Sequence, residues 1–419
     1  MYKRGTHMND IDLRVLQEEV ELELAPQHKQ IDKLVEYNQE RVLHAFQAHE
    51  VGDHHFNPTT GYGYDDMGRD KLEEVYADVF GGEDALVRPQ IVSGTHAITV
   101  SLFGMLRPND ELLYMTGKPY DTLEEIVGVR GEGNGSLKDF HIGYNHVELL
   151  KNGQVDFSSV ERAMNERTKV IGIQRSKGYA NRPSFTINEI KEMIEFVKGI
   201  NPNVIVFVDN CYGEFAEEEE PLHVGADLMA GSLIKNPGGG LAKTGGYIVG
   251  RQALVEQCAN RLTAPGLGKE TGATIHSLQE MYQGFFLAPH VVGEAMKGAT
   301  FTARLLEKLG FKTYPSYDAK RTDLIQTVTF DTAEQMVAFC QAIQKASPIN
   351  SHVTPYPSAM PGYENDVIMA AGTFIQGASL ELTADGPIRP PYTAYVQGGL
   401  TYAHVKIAIK HAVTHMLGN

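Results

Sequence analysis

Cysteine is scarce in this 419-residue chain, which has only Cys211, Cys258 and Cys340, widely spaced and odd in number. That excludes a disulfide framework and a cysteine-based zinc site, and it makes a reducing cytoplasm the expected compartment. Long apolar runs are missing too. No stretch approaches the ~20 apolar residues that span a bilayer, and Met1 to Asp12 lack the apolar core of a secretory signal. No membrane partner is expected. Positive charge is in deficit, with 37 Lys and Arg against 53 Asp and Glu, a formal net charge of −16. A surface that acidic repels phosphodiester backbones, so nucleic acid is excluded as a partner. Internal repeats are absent.

What is present is ordinary for a globular protein: 42% hydrophobic and 21% charged residues. The length suggests two or three domains. Residues 10–51 carry apolar residues at helical spacing, Leu13, Leu16 and Val20 and then Ile31, Leu34 and Val35. Pro26, which lacks an N–H to donate, is expected to divide this region into two helices. Residues 1–55 are read as a helical arm, 56–290 as a large domain and 291–419 as a small α+β domain. In the large domain strands are expected over 85–92, 111–115, 170–173, 204–208 and 246–249. Helices are expected over 95–106, 120–128, 157–166 and 187–200, with another starting near Arg69. Continuous apolar strands alternating with helices predict an α/β fold with a mostly parallel sheet, whose ligands lie at the carboxyl ends of the strands.

Two such ends carry chemistry. The run 204–208 finishes in Asp209, and the stretch 226–235 finishes in Lys235, 26 residues later. A carboxylate and a lysine at the ends of adjacent strands suit pyridoxal 5′-phosphate (PLP). The acid keeps the pyridine nitrogen protonated, and the lysine carries the aldehyde as a Schiff base and later moves the proton. Ile91-Val92-Ser93-Gly94-Thr95 leads into a helix, and small residues at a helix N-terminus make a phosphate cradle. Tyr120 stands where an aromatic face can stack on the ring. Taken singly, each has a plainer reading: a strand-end acid, a surface lysine, an N-cap or a loop tyrosine. Together they favour the cofactor.

Other patterns carry less. Gly238-Gly239-Gly240 before Lys243-Thr244 lacks both P-loop glycines, since 237 is Pro and 242 is Ala. Lys243 remains the rival for the Schiff-base lysine. Gly131 to Gly135 follows a helix and is read as a flexible loop. Adjacent His54 and His55 rarely share an ion, so no metal is expected. Glu217 to Glu220 is read as a solvated loop, because adjacent carboxylates repel one another.

Four strings carry a resemblance: TGYGYDDMGR (60–69), VRPQIVSGTHA (87–97), VDNCYGEF (208–215) and GSLIKNPGGG (231–240). From residue 54 to the C-terminus the chain resembles fold-type-I PLP enzymes of the Cys/Met-metabolism group. The closest likeness is to the methionine γ-lyase family and the cystathionine β-lyase-like proteins connected with aluminium resistance. The resemblance implies that Lys235 forms the Schiff base and Asp209 meets the pyridinium. It assigns the phosphate to Gly94 and Thr95, next to Ser93, together with Ser232, and ring stacking to Tyr120. Tyr62 or Tyr64 with Arg69 resembles a pair that reaches the phosphate of a neighbouring subunit, which implies a homodimer or homotetramer. Arg389 is the expected partner of the α-carboxylate of an amino acid substrate. Ile234 and Asn236 flank the lysine where the group usually has Thr and Tyr, and His96 stands where a small residue is commoner. The implied reaction is β- or γ-elimination of sulfur from a sulfur amino acid. An aminotransferase, an aldolase or a PLP-binding protein without turnover are the alternatives.

Overall fold

The computed structural model describes residues 12–131, 133 and 135–418. It opens with one helix, α1 (Leu13–Ala48), with Asp12 accepting from the Arg14 N–H at its start. Pro26 lies inside this helix and does not divide it. The expected break fails for a packing reason. Leu16, Val20 and Leu24 are buried in one apolar cluster, whereas Ile31, Val42 and Ala45 are buried in another. Contacts on both sides of the proline therefore hold the helix in one line, and its lost hydrogen bond is offset by burial.

Then come α2 (Met67–Phe80), β1 (Asp84–Arg88), α3 (Gly94–Met105), β2 (Glu111–Tyr114), α4 (Leu123–Val127), β3 (Gly143–His146), α5 (Phe157–Ala163), β4 (Thr168–Gln174) and α6 (Ile187–Ile200). Next are β5 (Ile205–Asp209), β6 (Leu228–Ser232), β7 (Gly246–Gly250), α7 (Gln252–Leu262) and α8 (Leu278–Lys308). The chain closes with β8 (Lys312–Tyr314), β9 (Gln326–Thr329), α9 (Ala333–Lys345), β10 (Val367–Ala370), β11 (Thr383–Pro387), β12 (Thr393–Gln397) and α10 (Tyr402–Leu417).

A seven-stranded sheet has the order β1-β7-β6-β5-β4-β2-β3. Its run from β6 to β3 is parallel, and β7 runs antiparallel to both its neighbours. Along β5 successive side chains part company: Val206 and Val208 enter one core, Ile205 and Phe207 the other. Burial on both faces is what the continuous apolar runs predict. A second sheet, β10-β11-β12-β9-β8, is wholly antiparallel. The α/β expectation holds. No helix among the described residues is long and apolar enough to cross a membrane.

The acidic run departs from its expectation. Glu218 and Glu219 face solvent, but Glu217 and Glu220 turn inward to the buried Arg175 guanidinium, at 3.4 and 3.3 Å. Burial works to raise the Glu217 carboxyl, yet Arg175 and Lys320 together hold it below the usual carboxylate range. In the loop from Gly131 to Gly135, Glu132 and Asn134 lie outside the described residues, as do residues 1–11 at the N-terminus.

Candidate active site

Strands β5 and β6 are parallel neighbours, with Asp209 opposite Ala230. This register puts Asp209 at the carboxyl edge of the sheet, and the turn after β6 brings Lys235 to the same edge. Asp209 is buried, and its carboxylate accepts from the Cys211 N–H at 3.2 Å. Burial raises its carboxyl, against the smaller lowering by the Cys211 bonds and by the charges of Lys235 and Arg182. The Lys235 Nζ lies 3.5 Å from the centroid of the Tyr212 ring. Asp209 and Lys235 share a cavity of about 260 Å3 with Ser93, Gly94, Thr95, Tyr120 and Ser232. Of the described residues lining it, only Lys235 carries an amine.

Helix α3 aims its N-terminus at this cavity. The first N–H groups of a helix have no intrahelical acceptor, and its dipole favours an anion there. Ser93 Oγ caps the helix by accepting from the His96 N–H at 3.0 Å, and the Thr95 and Thr122 hydroxyls meet at 3.0 Å. A Cβ on Gly94 would lie 3.1 Å from Cys211 Sγ and 3.3 Å from Ser232 Cβ. A side chain here would push its neighbours by a few tenths of an ångström, so glycine suits the close approach of the helix start to the end of β6. His96 serves the turn itself, its Nδ1 accepting from the Val92 N–H at 3.2 Å.

These residues fit PLP by their chemistry. A helix N-terminus with hydroxyls suits the phosphate, a buried carboxylate suits a ring nitrogen, and a lone amine suits the aldehyde. A buried side-chain oxygen on the cavity wall, Gln174 Oε1, also has no hydrogen-bond partner among the described residues.

The remaining expected residues lie elsewhere in the chain. Tyr62 and Tyr64 are 73% and 53% exposed and stack on each other at 5.4 Å, off the cavity wall. Arg69 is buried and donates to the carbonyls of Gly63 (2.7 Å) and Gly272 (3.4 Å) and to Asp70 (2.9 Å). Arg389 is not on this cavity. Its guanidinium donates to Asn365 Oδ1 at 3.2 Å and to the Tyr179 carbonyl at 3.4 Å. The rival Lys243 is exposed and paired with Glu280. Tyr120 precedes α4 instead of opening it, its carbonyl accepting from the Leu123 N–H. Among the described residues no three His, Cys, Asp or Glu side chains converge as metal ligands.

Sequence reasoning missed the other wall. Tyr179, Tyr363, Tyr395 and Gln397 line the cavity, and the Tyr120 and Tyr363 hydroxyls are hydrogen-bonded. Behind them Asp385 accepts from the Tyr179 hydroxyl at 2.7 Å and from Gln397 Nε2 at 3.2 Å. Burial pushes the Asp385 carboxyl up to about 6, more than these bonds lower it. The available signal was a pair of polar side chains, Asp385 and Gln397, inside strands that are otherwise buried.

Comparison with known proteins extends this geometry. The family model described as methionine gamma-lyase matches residues 13–417. The protein YnbB of Bacillus subtilis is 72% identical over 400 residues, 95% of each chain. A Listeria monocytogenes structure, named as a candidate cystathionine beta-lyase involved in aluminum resistance, is 66% identical with a TM-score of 0.95, over 96% of this chain and 100% of that one. A Clostridium novyi structure, named as a carbon-sulfur lyase involved in aluminum resistance, is 47% identical with a TM-score of 0.92, over 96% of both chains.

Proposed function

The chain belongs to the methionine gamma-lyase family, and from that premise we propose that it is a PLP-dependent carbon–sulfur lyase acting on a sulfur-containing amino acid. One observation carries the cofactor part of the reading: Lys235, the one amine among the described residues lining the cavity, stands on the strand edge with a buried carboxylate, Asp209; the carbon–sulfur lyase part rests on the family. Bound PLP supplies an aldehyde for an amino group and an electron-withdrawing ring that weakens the bonds at Cα.

The chain's own residues do the rest. Lys235 would hold the aldehyde, and its amine is the group that would move the Cα proton. Asp209 keeps a proton on the ring nitrogen. The α3 N-terminus, with Ser93, Gly94, Thr95 and Ser232, anchors the phosphate. Tyr120 gives the ring an aromatic face. Closure of the cavity by Tyr179, Tyr363 and Tyr395 excludes water from the reacting carbon.

Assembly as a homodimer, or as a pair of them, is part of this reading. Its support is the exposed Tyr62–Tyr64 pair on the loop that Arg69 braces, a surface suited to a neighbouring subunit's phosphate. Three free cysteines suit the cytoplasm.

The test is a substrate panel. Cystathionine, cystine and methionine are offered without an added keto acid, and keto acid, ammonia and sulfur product are measured together. A lyase releases all three from at least one substrate. Turnover that requires an added keto acid and leaves the thioether whole would identify an aminotransferase instead.

A further inference from the structure

A second hollow of about 470 Å3 adjoins the Lys235 cavity. The two share Tyr179 and Tyr395 as walls. The segment after β4 divides its residues between them: Ser176 and Gly178 line the inner cavity, and Lys177 lines the outer hollow. The charges in the hollow are of one sign. Lys177, Lys312 and Arg389 line it, and no carboxylate among the described residues does.

Lys177 is only 3% exposed, and its Nζ rests 4.3 Å from the centroid of the Tyr314 ring. Among the described residues no carboxylate lies within ion-pair distance of it and no acceptor takes its ammonium protons. Asp323 acts on it through space, but that carboxylate already accepts from Ser176 Oγ at 2.9 Å, from Ser184 Oγ and from the Ile325 N–H at 3.0 Å. Burial pulls Lys177 down to about 8 against the influence of Asp323. A buried ammonium without a counter-ion is costly, and an incoming anion relieves that cost. Arg389 uses one nitrogen on Asn365 and another on the Tyr179 carbonyl, with Asp121 at 4.0 Å. It lines the hollow with these partners already engaged, whereas the buried Lys177 has no ion-pair partner among the described residues.

We infer that this outer hollow receives the far end of the substrate, beyond the sulfur, and that this end is a carboxylate with no accompanying ammonium. The inference rests on the carbon–sulfur lyase reading and names the substrate class for it. A plain alkyl thioether leaves Lys177 unpaired. A zwitterionic far end brings an ammonium into a hollow lined by three cations. A lone carboxylate gives Lys177 a counter-ion and adds no further positive charge beside Lys312 and Arg389.

Three cysteine thioethers of matched length test it: S-(2-carboxyethyl)-, S-propyl- and S-(2-aminoethyl)-L-cysteine, compared by kcat/KM for thiol release. The carboxyethyl substrate is expected to exceed the propyl one by about tenfold or more, the contribution of one charge-assisted pair, with the aminoethyl substrate poorest. Lys177→Met should bring the carboxyethyl-to-propyl ratio near one, and Lys177→Arg should retain it. A parent ratio near one, or a ratio that Lys177→Met leaves unchanged, overturns the inference. If none of the three is cleaved, the panel of cystathionine, cystine and methionine decides the lyase reading, and calorimetric binding of S-(2-carboxyethyl)-L-cysteine decides the hollow separately. Binding lost in Lys177→Met supports the anion site, and no binding to the parent overturns it.

Discussion

Glu214 lies under the connection that carries Lys235. Its carboxylate accepts from the Tyr247 hydroxyl at 2.6 Å, and its carbonyl accepts from Asn236 Nδ2 at 2.9 Å. Burial pushes the carboxyl up to about 8, over the opposing pull of the Tyr247 bond. The unfolded chain loses this proton near its ordinary value of 4.5, whereas the folded protein keeps it until about 8. The contribution to stability is therefore fully present below pH 4.5 and is lost as pH rises towards 8. Glu214→Gln removes that loss, so the difference in unfolding free energy between parent and variant should shift by at most about 1.4 kcal/mol per pH unit inside the window. Urea unfolding at pH 5 and pH 8 measures it, and a constant difference contradicts the assignment. Asp209 and Lys235 were legible in the sequence because each closes an apolar stretch. Tyr179, Tyr363, Asp385 and Gln397 were not, because they come from separate loops and strands that no local pattern links. The inward turn of Glu217 and Glu220 was hidden for the same reason, since their partner Arg175 lies some forty residues away.

Elements were legible where burial follows a simple period. The parallel strands read as apolar runs, and α6 begins and ends where the pattern 187–200 predicts, with Thr186 and Glu189 forming a reciprocal cap. Helix α1 shows the limit of such reading. Proline chemistry alone predicts two helices, and only the two cores beneath it explain one. Ion pairs add to the seam with α8, joining Asp32 to Lys297 (2.6 Å), Glu23 to Arg304 (2.5 Å) and Glu19 to Lys308 (3.0 Å). Such pairs are partly exposed and contribute little individually. Apolar burial contributes more. Leu24, wholly buried two residues before Pro26, should cost about 2–5 kcal/mol when changed to Ala. The denaturant midpoint reports this, and a loss below about 0.5 kcal/mol, typical of surface substitutions, would mean that α1 does not hold its place across both cores.

At the scale of the molecule, two sheets meet at one cavity. The seven-stranded sheet brings Asp209 and Lys235, and the antiparallel sheet brings Tyr395 and Gln397. The proposed pairing with a second copy of the chain through the exposed Tyr62 and Tyr64, in the loop before α2, also belongs to this scale. Light scattering on the PLP-loaded protein should give the mass of a dimer or tetramer, and an active monomer with bound cofactor contradicts that assembly. The most direct test of the account concerns where the cofactor is held. Borohydride reduction of the loaded protein, followed by intact mass and peptide mapping, should add one pyridoxyl phosphate group per chain, on Lys235. Label on Lys243 or another lysine, or no label at all, would contradict it.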